Sequence, residues 1–391
     1  MLNRRLLRIK VMQAFYALRQ SELSSRQLAV DAITETFQPD LNSMEVQNLQ
    51  QLEGFRRLAT VLFEEGLTKG KPSEEEDVPR NVLIAANQAL AEYRNNQTRE
   101  RHRVFQSLLE DVRMLDNSLI RLLTLLLELA HVAQVDRERI RRYEAVDARS
   151  IAKESGLDRN RIIQALREHK PLEVEKIRRK VDWGDDPQMI RSIYNDILKE
   201  DEMYRAYCET AQHTADEDQQ LVQHILRNVL LKQDPAKNYF EETDLSWAEN
   251  GELVRSMAIK TLKSVQSPEG LKLTELTDDW EEDRLFLETL YKKALENDAE
   301  YEALLAEQLK NWDVERVAQL DKIILKLALA ELLNFPNIPV KVTINEYIEL
   351  AKQYSTPKSG KFVNGILDSL SEKLKSTGQL RKSGRGLLDN K

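Results

Sequence analysis

Apolar residues recur along this chain at intervals of three and four, the period of one face of an α-helix, and no stretch alternates like a half-buried strand. The pattern predicts an all-α fold. A first helix is expected over residues 3–20. Further helices are expected near 25–37, 43–66, 81–96, 100–133, 150–155, 159–169, 187–200, 215–232, 246–265, 281–297, 299–309, 314–334, 343–354 and 360–375. Residues 66–79, with Gly70, Pro72 and an acidic run, read as an exposed linker, and 231–243 and 266–273 as loops. The apolar stretch Leu115–Ala133 carries Asp116, Arg121, Glu128 and His131, so it reads as a core helix and not a membrane span.

One helical pattern occurs twice. A Trp, an Asp three residues on, an apolar stripe with a Tyr, then a second Asp and Tyr run from Trp183 to Tyr204 and again from Trp280 to Tyr301. Ile190, Ile193, Tyr194 and Leu198 correspond to Leu287, Leu290, Tyr291 and Leu295 on one helix face. The spacing suggests one packing solution used twice, with Asp201 and Asp298 capping the helix that follows.

Composition narrows the function. Over 391 residues the net charge is −8, which excludes a uniformly basic coat for nucleic acid but not a local basic face. The first twenty residues hold Arg4, Arg5, Arg8, Lys10 and Arg19 and no acid. Cys208 is the one cysteine, so no internal disulfide can form and a reducing, cytoplasmic setting is expected. The five histidines show no metal-ligand spacing, and neither a dinucleotide-binding glycine pattern nor a complete Walker motif is present. The reading is of a protein that is not an enzyme, with no cofactor, no metal, no small-molecule substrate and no membrane.

Two segments carry candidate chemistry. With each residue advancing about 100° around a helix, Arg4, Arg8, Arg19 and Arg5 fall within about 100° of one another and Tyr16 lies beside them. Arginine offers planar donors to phosphate, and an adjacent ring can stack on an unpaired base. The second segment begins at Val340. Thr343 and Glu346 have capping-box spacing, and Ile344, Tyr347, Ile348 and Ala351 should point inward with Lys352 outward. Ser359 is placed to cap the final helix, and Lys358 and Lys361 crowd its N-terminus. Positive charge there costs about 0.3–1 kcal/mol unless an anion relieves it.

These residues also resemble a known family, the NusB-type transcription antitermination factors. The likeness is carried by Asp321–Leu332, Ile338–Glu346, Ile348–Lys352 and Lys361–Asp368, with Arg5, Arg8, Gln13, Ala14 and Tyr16 matching the family's opening helix. The resemblance implies two small helical bundles, here enlarged by additional helical layers. It implies binding of boxA-type single-stranded RNA together with the ribosomal protein NusE, within a transcription elongation complex, during ribosomal RNA transcription. By position, Arg5, Arg8, Tyr16, Lys361 and Phe362 would meet RNA, joined on the basic-face argument by Arg4 and Lys358. Arg316, Asp321 and Lys322 would face the protein partner. The expected organisation is an Arg-rich helix over 1–20 packing on the C-terminal core, a helical insertion over 21–180, a repeat unit over 181–279, the NusB-like core over 280–375 and a disordered basic tail over 376–391.

Two other readings compete. Residues 151–166 have helix-turn-helix spacing, with Arg159, Asn160, Arg161 and Gln164 on a possible DNA-recognition helix. The added region could alternatively make the chain a non-catalytic scaffold for protein partners.

Overall fold

The computed structural model describes residues 2–390 apart from 41, 43–45, 74–76, 144–155, 211, 268 and 310–316. Among the described residues it is built of helices and contains no strand. The helices are α1 (Arg4–Thr36), α2 (Leu49–Lys69), α3 (Arg80–Tyr143), α4 (Arg161–Glu168), α5 (Lys170–Arg178), α6 (Pro187–Ser192), α7 (Glu202–Cys208) and α8 (Ala215–His224). They continue with α9 (Asp234–Thr243), α10 (Trp247–Ser264), α11 (Trp280–Glu296), α12 (Asp298–Gln308), α13 (Gln319–Asn334), α14 (Val340–Tyr354) and α15 (Ser359–Ser376). The chain divides into two compact units, one of residues 1–6 and 109–283 and the other of residues 7–108 and 284–391.

In the second unit, α1 and α3 are longer than their sequence signals. Separate helices are expected over 3–20 and 25–37, yet Ser25, where the second would begin, is buried and a single helix runs on to Thr36. Serine lowers helix propensity only slightly, whereas Ala29, Ile33 and Phe37 bury against Leu62 and Phe63 of α2 and Val82, Ala86 and Leu90 of α3. Full burial of each large side chain is worth roughly 1.5–3 kcal/mol, which outweighs that deficit. The same reasoning joins the two helices expected over 81–96 and 100–133 into one, since no Gly or Pro lies between them. α2 stops at Gly70, whose φ of 89° is left-handed and whose N–H bonds to the Gly66 carbonyl at 3.1 Å. Gly66 itself is buried inside α2, so the linker begins after it.

The first unit packs around the C-terminal part of α3. By length and composition α3 holds an apolar window able to cross a membrane, but 61% of that window is buried within the protein, as in a core helix. Trp183 Nε1 donates to Thr124 Oγ1 at 3.0 Å, fixing the segment before α6 on that core. α6 passes into a π-helical turn over Ile193–Ile197, and α8 into another over Ile225–Leu230.

The helix-turn-helix reading loses Asn160 from its recognition face. Residues 151–155 lie outside the described residues, but Asn160 is fully buried, caps α4 through Ile162 N at 2.9 Å and donates to the Asp218 carbonyl at 3.0 Å. Arg161 is held by Asp218 at 2.6 Å, and Gln164 donates to the Asp158 carbonyl. Asn160 is thus consumed inside the unit and is not presented to a groove, whereas Arg159 and Arg161 remain exposed.

The duplicated pattern diverges at its second Asp. Asp201 does cap α7, accepting from Tyr204 N at 2.9 Å. Asp298 does not cap α12; it is taken by Arg19 at 2.5 Å and Lys326 at 2.8 Å. In the tail, residues 384–390 form a 3₁₀ turn, and Lys382 Nζ donates to the Phe335 carbonyl at 3.0 Å.

Candidate nucleic-acid interface

Helix α13 organises the site. Its residues from Ile323 to Leu332 are all buried, so it is surrounded by protein on every side. Three buried ionisable residues sit on it, Asp321, Lys326 and Glu331, five positions apart. Each therefore points about 140° further around the axis. An unpaired charge at such a position would cost several kcal/mol, so each must meet a partner on a neighbouring helix.

Each does. Glu331 is fully buried and accepts from Arg8 Nε at 2.7 Å and Nη2 at 2.8 Å, from Thr343 Oγ1 at 2.9 Å and from the Tyr347 hydroxyl at 3.3 Å. Glu346 adds a second carboxylate 3.5 Å from Arg8, and the guanidinium lies 5.5 Å from the centre of the Phe286 ring. Burial alone would depress the Arg8 guanidinium, but the Glu331 hydrogen bonds and charge carry it above the ordinary arginine value. Burial, and then the Glu331 charge, push the Tyr347 hydroxyl well above the usual tyrosine range. Lys326 meets Asp298 at 2.8 Å and Glu302 at 2.6 Å on α12. Asp321 accepts from Ser359 Oγ at 2.7 Å, tying the start of α13 to the start of α15.

These contacts correct several sequence expectations. Arg8, expected on an exposed arginine face, is 3% exposed and fully engaged with carboxylates. The first half of α1 is buried on nearly every side, with Leu6, Leu7, Ile9, Val11, Met12, Ala14, Phe15 and Leu18 all inside. The predicted arginine face is therefore dismantled: Arg8 and Arg19 turn inward to acids, Arg4 pairs with Glu282, and Arg5 alone of the four is exposed. Thr343 and Glu346 form no capping box, because α14 starts three residues earlier, behind Pro339, and both turn to the Arg8–Glu331 network. Ser359 does not cap α15; Lys358 occupies that position, and Ser359 braces Asp321 instead. Asp321, expected on a partner-facing surface, is 4% exposed. Lys322 beside it is half-buried, and Arg316 lies outside the described residues.

Position along α13 sorts the rest. α1 runs antiparallel to it: Arg8 meets Glu331 near one end, and Gln20 Nε2 donates to Gln319 Oε1 at 3.0 Å at the other. The ten residues from Asp321 to Glu331 span about 15 Å. Arg8 and Lys361 are thus at opposite ends of α13 and do not share one surface. Tyr16, one turn before Gln20 and 43% exposed, belongs with the Gln319 end. So do Lys358, Lys361 and Phe362, brought there by the Ser359–Asp321 bond. Lys358 and Lys361 are exposed and make no ion pair with a described residue; Phe362 is half-buried. Lys322 stands at the same end.

Sequence reasoning missed Glu331, Lys326 and Asp298 as organising residues. The signal was present: a lone Lys and a lone Glu inside the apolar run from Ile323 to Leu333. Isolated charges in such a run are retained only if paired.

The NusB family model matches residues 252–372, which take in the greater part of α10 and all of α11 to α14, ending within α15. A transcription antitermination protein NusB of Salinibacter ruber is 42% identical over 105 residues, 27% of this chain and 66% of that protein. The corresponding protein of Chloroherpeton thalassium is 45% identical over 104 residues, 27% of this chain and 49% of its own length. That of Methylacidiphilum infernorum is 38% identical over 133 residues, 32% of this chain and 91% of its own length. The chain thus spans just under two thirds and about half of the first two relatives and nearly all of the third. No solved structure matches the chain.

Proposed function

The chain belongs to the NusB family, and from that premise we propose that it is a transcription antitermination factor that acts by recruitment and carries out no chemistry. In this reading it binds boxA-type single-stranded RNA and the ribosomal protein NusE within the transcription elongation complex. RNA is held at the Gln319 end of α13. Lys358 and Lys361 meet phosphates, Tyr16 stacks on an unpaired base, and Phe362 backs the same site. Lys322 and Arg316 face the protein partner, and Asp321 contributes by holding α15 in register.

One contrast carries this reading. The interior cations Arg8, Arg19 and Lys326 each meet carboxylates, whereas Lys358 and Lys361 stand without a counter-charge among the described residues at a helix N-terminus, where a cation is disfavoured. A bound phosphate removes that penalty, and salt-dependent affinity follows.

The test is a salt titration of RNA binding with the Lys358→Gln/Lys361→Gln variant. Each single-strand phosphate contact contributes about 0.7 to the slope of log affinity against log salt. The variant should bind boxA-type RNA more weakly, with a slope shallower by about 1.4. Affinity and slope equal to those of the unaltered chain would reject the assignment.

A further inference from the structure

We propose that the added region holds a second, separate site: a pocket between the π-helical turn after α8 and the start of α10 that binds a phosphate-bearing small ligand of nucleotide size. This site is independent of the RNA reading, and most of its lining precedes the residues the family model matches.

The cavity has a volume of about 420 Å³ and is lined by Arg227, Lys232 and Arg255 against a single acid, Glu252. Small-ligand sites fall at about 300–1,000 Å³, so a nucleotide fits. Glu252 and Arg255 pair with each other. Arg227 and Lys232 are exposed and form no ion pair with a described residue, so two positive charges are left facing the pocket's lining. Surface lysines and arginines elsewhere in the chain commonly meet an acid three or four residues away on the same helix.

Two neutral donors complete an anion receptor. Trp247 is 8% exposed and one ring face is stacked on Phe240, with centroids 4.7 Å apart. Its Nε1–H makes no hydrogen bond with a described residue and is not sealed from solvent. A Cβ at Gly251 would come within 3.2 Å of Trp247 Cε2 and 3.4 Å of Nε1, so glycine keeps that side of the indole uncrowded. Asn228 is held by His224 Nδ1 at 3.0 Å, and His224 Nε2 is held by Asp201 at 2.8 Å. With the ring proton on Nε2 toward the carboxylate, Nδ1 accepts from the Asn228 amide, which fixes the side chain at the pocket.

The backbone supports the same placement. Arg227 and Asn228 lie in the π-helical turn Ile225–Leu230. Such turns are rare, cost hydrogen-bond geometry and concentrate at functional sites. The extra residue re-aims side chains that a regular helix would carry elsewhere.

A second cavity in this unit shows the contrast. Its volume is about 330 Å³ and it contains Arg178 and Arg179, but Arg179 is already held by Glu175 at 2.9 Å, Asn117 at 2.6 Å and Asp116 at 3.4 Å. Its charge is internally satisfied, so it calls for no anion.

The experiment follows the Trp247 indole N–H resonance of the full chain, identified by its loss in Trp247→Phe. The titrants are AMP, inorganic phosphate, and one short RNA with either a 5′-phosphate or a 5′-hydroxyl, at matched ionic strength. AMP or phosphate should move the resonance saturably if the ligand is a free phosphate. Movement by the 5′-phosphorylated RNA alone would place the ligand at an RNA end. In either case Arg227→Gln/Lys232→Gln should weaken the effect about ten-fold or more, with an unchanged thermal midpoint, while Lys358→Gln/Lys361→Gln leaves it intact. A resonance that none of the titrants moves, or a charge variant that titrates like the unaltered chain, would overturn the proposal.

Discussion

Arg8 and Glu331 lie 323 positions apart in the chain and form a two-pronged, fully buried ion pair. The pair joins the first helix to the central helix of the family-matched core. It explains why the opening helix is legible as part of that core although the intervening chain is far larger than the core itself.

Loss of one partner should be severe and loss of both mild. Arg8→Met strands the Glu331 carboxylate and should destabilise the protein by about 3–5 kcal/mol in chemical denaturation. Arg8→Met/Glu331→Met should recover much of that loss, since no buried carboxylate is left unpaired, although Thr343 and Tyr347 lose their charged acceptor. A double variant no more stable than the single one would show that the two residues are not energetically coupled.

The two neighbours Asp321 and Lys322 should separate cleanly. Asp321→Ala removes the acceptor of Ser359 Oγ and should cost about 1–3 kcal/mol of stability. Lys322→Glu should leave stability within about 0.5 kcal/mol, as surface changes do, while weakening capture of the ribosomal protein partner. Thermal melts alongside a pull-down with that protein check both halves.

Acid should loosen α12 through Asp298. Burial raises its carboxyl, but hydrogen bonds from Arg19 and Lys326 prevail and hold it below the ordinary aspartate value. The folded state therefore binds fewer protons than the unfolded chain as pH falls. The contribution is fully present above the unfolded value of about 3.9 and is lost as pH drops through the lower folded one. Asp298→Asn should reduce stability at neutral pH and flatten its decline on acidification. An acid limb as steep as that of the unaltered chain would count against the Arg19–Asp298–Lys326 cluster as its source.

Tyr16 should matter for its ring and not its hydroxyl. Tyr16→Ala should cost about 1–3 kcal/mol of RNA affinity, the range for loss of a stacking platform, while Tyr16→Phe should retain binding. Fluorescence anisotropy with labelled boxA-type RNA gives the comparison, and equal affinity for both variants would remove stacking from the account.

The fold class was readable because helical periodicity persists from end to end and no glycine or proline interrupts α3. The family core was readable from local motifs such as Lys361–Asp368. Side-chain assignments were less legible wherever a distant partner decided them. Arg8 looked like a surface cation because nothing in its neighbourhood announces Glu331. Thr343 looked like a cap because its spacing to Glu346 is that of a capping box, yet a buried carboxylate on another helix attracts it more strongly than its own helix terminus. The family resemblance alone puts Asp321 on a partner-facing surface, and only the fold shows Ser359 over it. Lys358, Lys361 and Tyr16 kept their expected exposure because no interior acid reaches them. The cationic pocket around Arg227 was invisible in sequence, since its residues come from two helices and depend on a π-helical turn that has no simple residue signature.

The central claim is that RNA lies at the Gln319 end of α13. Photo-crosslinking of boxA-type RNA to the full chain, followed by peptide mapping, tests it most directly. The account predicts crosslinks at Tyr16 and within the Lys358–Phe362 segment, lost when scrambled RNA is used. Sequence-selective crosslinks that spare both segments and fall on other parts of the chain would contradict it.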